Sequence, residues 1–207
     1  TGNGQIIGTI SDGSWTANLQ ADRAVYTALN PSQAAGKYTL SIPGDPDGNS
    51  ITNQPHGDGY GTVNVGTLGT VTFAGLLADN TPISQASAVS SSGQWPLYFP
   101  YPRNGGQLLG WMTFANTGPS DVDGVVNWNK QPSAAALYYS GGFNMDVLAS
   151  GSRYNPLLKP AIGFTDGFFS FDGANLSSPI DNDVAFTPAN ALVNFSANKL
   201  TFTLRSD

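Results

Sequence analysis

Apolar and polar residues alternate with a period of two along much of this chain. Val63 and Val65 alternate with Thr62 and Asn64, and Val71 and Phe73 alternate with Thr70 and Thr72. That period places successive side chains on opposite faces of a half-buried strand. The pattern predicts a hairpin from Gly59–Val65 and Gly69–Leu76. It predicts a second from Gln5–Ile10 and Ser14–Leu19 around Ser11-Asp12-Gly13, because Asp-Gly between apolar runs favours a tight turn. Further strands are expected at Lys37–Ile42, Ile83–Val89, Gln94–Tyr101, Gln107–Phe114 and Val122–Trp128. Pro132–Pro160 is less regular, with one helical turn expected in Ser133–Tyr139 and a strand at Asn144–Ala149. Short strands follow near Phe168–Phe171, Val184–Phe186, Ala191–Phe195 and Lys199–Leu204. About 14 such segments imply an all-β fold, an antiparallel meander closing into a barrel or a sandwich with a less regular C-terminal part.

Composition strengthens the all-β reading. All 14 acidic residues are aspartate, whereas 25 glycines and 14 prolines punctuate the chain. Glutamate favours helices, and aspartate, glycine and proline favour turns. The 207 residues fit a single all-β domain over 1–207, with a soft internal boundary near 119–132. Only 11% of residues are charged, against about 25% in an average soluble protein, so Ser, Thr, Asn, Gln and Gly must cover the surface.

Charge and cysteine content narrow the function classes. The net charge is −6 and the eight Lys and Arg are scattered, whereas a nucleic-acid surface needs them clustered. No apolar run approaches the roughly 20 residues of a membrane-spanning helix. With no cysteine, there is no thiolate metal site or thiol nucleophile, and the chain suits an oxidising, exported setting. Thr1-Gly2-Asn3-Gly4 is not a signal peptide. The chain is therefore expected to be a mature or excised domain, secreted or at a cell surface, with neighbouring domains in a longer chain.

Aromatic residues supply the leading candidate chemistry. Trp95, Tyr98, Phe99 and Tyr101 lie close together, interleaved with Pro96, Pro100 and Pro102. Alternation puts Trp95, Phe99 and Tyr101 on one face and Tyr98 on the other, while the prolines indicate an edge strand or a bulge. A Trp or Tyr with an exposed flat face can stack on a sugar ring while its polar tip stays satisfied. The candidate ligand-binding set is Trp95, Tyr98, Tyr101, Arg103, Asn104, Trp128, Tyr138 and Tyr139, with Gln107 and Tyr154 nearby in character. Against this, tryptophan is buried on average, and Trp111, flanked by Leu109 and Met112, is assigned to the core.

Aspartate-rich turns supply a weaker candidate. Asp45, Asp47 and Asn49 alternate around Gly48 in an oxygen-rich loop suited to a structural Ca²⁺, but the glutamate that closes such loops is absent. Asp121-Val122-Asp123-Gly124 and Asp181-Asn182-Asp183 repeat the theme, and all three stretches also read as ordinary turns. No other cofactor is implied. Catalysis has little support. His56 is the only histidine, Asp58 lies beside it, and no Gly-x-Ser-x-Gly elbow exists. A pair of aspartates across a cleft would suit a glycosidase, but no spacing selects one.

Tyr38-Thr39-Leu40-Ser41-Ile42-Pro43-Gly44, Gly59-Tyr60-Gly61-Thr62-Val63 and Gly69-Thr70-Val71-Thr72-Phe73-Ala74-Gly75 form one set with Leu77-Ala78-Asp79-Asn80-Thr81. Ser92-Gly93-Gln94-Trp95-Pro96-Leu97-Tyr98 and Leu109-Gly110-Trp111-Met112-Thr113-Phe114 complete it. Across Trp15–Trp128 this resembles a β-rich domain of large secreted bacterial cell-surface proteins with immunoglobulin-like repeats. The Gln-Trp-Pro-Leu-Tyr stretch carries most of the likeness. The resemblance implies an extracellular setting and repeat-protein context, and it transfers no activity and no site residues. Three expectations follow: a non-catalytic module binding polysaccharide or cell-surface glycan, a structural or adhesive repeat unit, and a hydrolase using an Asp pair.

Overall fold

The computed structural model describes residues 4–45, 54–102, 105–115, 120–155, 165–172, 176–189 and 191–201. The chain divides into two compact units, Thr1–Tyr154 and Asn155–Asp207.

In the first unit, β1 (Gln5–Ser11) and β2 (Thr16–Asp22) form a separate two-stranded hairpin. Eight strands then build one antiparallel, nearly closed, barrel-like sheet. They are β3 (Gly36–Ile42), β4 (Gly59–Val65), β5 (Thr70–Leu76), β6 (Pro82–Ala88), β7 (Gln94–Pro100), β8 (Gly106–Phe114), β9 (Val122–Lys130) and β10 (Phe143–Arg153). The spatial order is β6-β5-β4-β3-β10-β9-β8-β7. β10 closes two meanders together by pairing with both β9 and β3. The soft boundary read near 119–132 falls around β9, an interior strand of this sheet.

The predicted alternation is what fills the barrel. In β4, Gly59, Gly61, Val63 and Val65 are buried and the residues between them are exposed. Leu40, Ile42, Val71, Phe73, Leu97, Leu108, Met112, Val126 and Ala149 join them in one core cluster with Trp95 and Trp128. β7 takes an end of the sheet, one of the two settings its prolines allow, the other being a bulge. The seam between β6 and β7 is bridged by one side chain. Gln85 Nε2 donates to the Pro96 carbonyl at 2.8 Å, and Gln85 Oε1 accepts from Trp95 Nε1 at 3.1 Å.

Glycine permits a close approach of β8 and β9. Their register is given by Gly110↔Val126 and Thr113↔Asp123, with no ladder pair recorded at Trp111 or Met112 between them. A Cβ on Gly110 would lie 2.4 Å from the Val125 carbonyl oxygen, and one on Gly124 would lie 2.1 Å from that of Trp111. No residue with a Cβ fits at either position.

The second unit holds a three-stranded antiparallel sheet of β11 (Asp166–Phe171), β12 (Ile180–Phe186) and β13 (Leu192–Asn194). Val184 and Phe186 are buried. Asn182 is buried as well, and its amide donates to Asn194 Oδ1 at 3.1 Å and the Asn198 carbonyl at 3.0 Å.

Three sequence expectations differ from the structure. Ser133–Tyr139 forms turns instead of a helical turn, with Tyr139 at φ 54°. Residues 199–201 are not in a strand, and the rest of the expected Lys199–Leu204 strand lies outside the described residues. β10 runs from Phe143 to Arg153, longer than the expected Asn144–Ala149, because it must span two partners. Among the described residues, no helix is long and apolar enough to cross a membrane.

Candidate functional site

The candidate aromatics separate into interior and exterior sets. Trp95, Leu97 and Phe99 on β7 and Tyr101 just after it face inward, and Tyr98 faces outward, half exposed. Trp95 and Trp128 are fully buried and Tyr101 nearly so. None of these three rings offers a flat face to an external ligand. Trp95 packs edge-on to Phe73, with centroids 5.5 Å apart, and stacks with Phe114 at 6.2 Å.

Trp111 is the residue that sequence reasoning placed on the wrong side. It is 42% exposed. Leu108, Met112 and Phe114 share the inward parity of β8, which leaves Leu109, Trp111 and Thr113 on the outer face. Parity with Leu108 and Met112 was the available signal. The flanking Leu109 misled because it too is partly exposed.

Register assembles an outer aromatic strip from these residues. Tyr98 lies opposite Leu109, Pro96 opposite Trp111, and Leu109 opposite Asn127. Val125 and Leu148 pair on the same face and are both exposed. Polar groups border the strip. Asn127 Nδ2 donates to Asn144 Oδ1 at 2.9 Å and to Asp146 Oδ1 at 2.8 Å. Pro96 and Trp111 also form one wall of a hollow of about 330 Å³, whose other lining includes Gln20, Asp22, Ser87 and Ser90. Within it, the Asp22 carboxylate accepts from Gln5 Nε2 at 2.8 Å and Gln20 Nε2 at 3.3 Å.

A second hollow, about 320 Å³, opens at one end of the barrel. There the structure brings together Tyr101, Trp128, Tyr138 and Tyr139, which are far apart in sequence. Trp128 Nε1 donates to the Tyr101 hydroxyl at 2.8 Å, and that hydroxyl donates to Asp79 Oδ2 at 3.1 Å. Lys130 Nζ donates to the same Asp79 oxygen at 2.8 Å and to the Tyr138 carbonyl at 3.0 Å. Asp79 Oδ1 accepts from the Thr81 amide at 3.0 Å. The Lys130 ammonium also sits 5.9 Å from the centre of the Tyr139 ring. Burial raises the Tyr101 pKa well above that of an ordinary tyrosine, and the Asp79 charge adds to the effect. Burial likewise raises that of Tyr139. Tyr101 therefore stays a protonated donor. Asp79 and Lys130 carried no signal in the sequence, because they meet only through tertiary structure.

Other candidates fall elsewhere. Arg103, Asn104, Asp47 and Asn49 lie outside the described residues. Asp45 is partly buried, and its amide donates to the Pro55 carbonyl at 2.8 Å. Asp121 Oδ2 accepts from the Arg153 amide, and Asp123 Oδ2 from the Ser120 hydroxyl. Among the described residues, no three His or Asp side chains gather to hold a metal ion. His56 is exposed, and Asp58 accepts from the Gly44 amide at 3.4 Å. The two hollows described above, and a smaller one of about 130 Å³ near Tyr26 and Tyr38, each have a single aspartate in their lining. The facing carboxylates that glycoside hydrolysis requires are not found in any of these three.

Comparison with family models, with curated proteins and with solved structures finds no match for this chain.

Proposed function

We propose that this protein is a non-catalytic extracellular module that binds polysaccharide or cell-surface glycan along the outer face of its barrel. One observation carries the reading: Trp111 and Tyr98 are partly exposed rings on neighbouring strands, beside a hollow lined by amide, hydroxyl and carboxylate groups. Rings of this kind stack on the apolar faces of sugars, and the adjoining polar groups bond their hydroxyls. The net charge of −6 and Asp22 in the hollow disfavour anionic polymers. Neutral polysaccharide is the expected partner, with binding that depends little on salt.

A second reading, a structural or adhesive repeat unit, draws on the β1–β2 hairpin. One face carries Ile6, Gly8 and Ile10 opposite Ala21, Leu19 and Ala17, and every one of these but Gly8 is exposed. A lone two-stranded hairpin is marginal in water, so such a face suits contact with another domain or copy.

The test is retention of the purified protein on a panel of insoluble neutral and anionic polysaccharides. Trp111→Ala and Tyr98→Ala should each cut retention about two- to tenfold, the loss of roughly one stacking contact, with the circular dichroism spectrum unchanged. Retention equal to wild type in both variants refutes the platform. Binding to no polymer, with association that grows with concentration on size exclusion, favours the repeat reading.

A further inference from the structure

We propose that the hollow at the end of the barrel is a second binding site, for one neutral, hydroxyl-rich ring of monosaccharide size. It stands on different residues from the outer platform and does not depend on it. The hollow of about 320 Å³ has room for about ten waters at their liquid share of roughly 30 Å³ each, enough for a single pyranose. Barrel mouths are favoured places for such sites.

Chemistry selects the ligand class. The Lys130 ammonium has three N–H groups. Asp79 and the Tyr138 carbonyl take two, leaving one for a further acceptor. Asp79 neutralises the cation at 2.8 Å, so among the described residues the lining carries no net positive charge to attract an anion. Ser133, Asn80 and Thr81 add hydroxyl and amide groups to the lining. Tyr138, half exposed, supplies a ring for stacking. The donors are held in advance, because Trp128 and Tyr101 fix Asp79, and Asp79 fixes Lys130. Preorganisation of this kind lowers the cost of binding.

The test uses the indole N–H resonance of Trp128, which bonds the network directly. Uniformly ¹⁵N-labelled protein is titrated separately with glucose, galactose, N-acetylglucosamine, glucuronate and acetate. At least one neutral sugar should shift the resonance saturably, with a dissociation constant on the order of 1–10 mM for a ligand this small. Tyr138→Ala, which keeps the backbone carbonyl that holds Lys130, should weaken that binding tenfold or more. Trp111→Ala should leave it unchanged, so the two sites fail or succeed separately. The proposal is overturned if no neutral sugar gives a saturable shift by about 50 mM, well above the affinity expected. Tighter binding of glucuronate or acetate than of any neutral sugar overturns it, and so does unchanged affinity in Tyr138→Ala.

Discussion

Replacing Lys130 with methionine tests whether the barrel end is held by charge pairing. The Lys130 and Asp79 side chains are 10% and 0% exposed, and their charged atoms are 2.8 Å apart. Methionine keeps most of the stem but strands the Asp79 carboxylate in the interior with only the Thr81 amide and Tyr101 hydroxyl. Breaking a buried pair on one side costs about 3–5 kcal/mol. With a urea m-value of about 2–3 kcal/mol/M for a protein of this size, the midpoint should fall by about 1–2.5 M. All four tryptophans, at positions 15, 95, 111 and 128, lie in the first unit, so fluorescence follows the unfolding of that unit alone. Asp79→Asn should cost less, about 1–3 kcal/mol, because a polar group stays at the same place. The double variant should be more stable than the sum of the single losses predicts, by at least about 1 kcal/mol, since no unpaired charge remains. A midpoint shift in Lys130→Met under about 0.3 M, or strict additivity in the cycle, would refute the reasoning.

Two further outcomes are expected. Gln85→Ala removes the seam bridge and leaves the buried Trp95 indole N–H without its acceptor, which should cost about 1–3 kcal/mol by urea unfolding; a loss below the resolution of the method would mean the seam holds without it. Tyr101 gives a pH dependence: its pKa is raised on folding by burial and by Asp79, so the folded state keeps a proton that the unfolded chain gives up near pH 10. Its contribution is full below that pH and is lost as pH climbs above it, by up to about 1.4 kcal/mol per pH unit. Tyr101→Phe should show a shallower alkaline decline, and an identical slope would assign the decline to other groups.

The two sites differ in how far the sequence disclosed them. Strand parity was enough to put Tyr98 on one face and Trp95 and Tyr101 on the other, because side-chain direction in a strand depends only on odd or even position, but only the packed core shows which face is outside. The same rule applied to Leu108 and Met112 places Trp111 outside; weighing immediate neighbours instead of alternate ones hid it. Of the barrel-end network, the aromatic residues were legible and the charged pair was not. Asp79 lies in a turn after β5 and Lys130 at the end of β9, and each reads locally as an ordinary surface charge.

By itself the sequence determined the all-β class and the position of most strands. These follow from local chemistry: the period of two, the turn residues, and the absence of glutamate. Which strands lie together was left to the tertiary structure. The pairing of β10 with β3, the approach of β6 to β7 and the meeting of Lys130 with Asp79 join residues distant in the chain. Such contacts form only when closing the sheet buries a common core, and no local pattern encodes their partners.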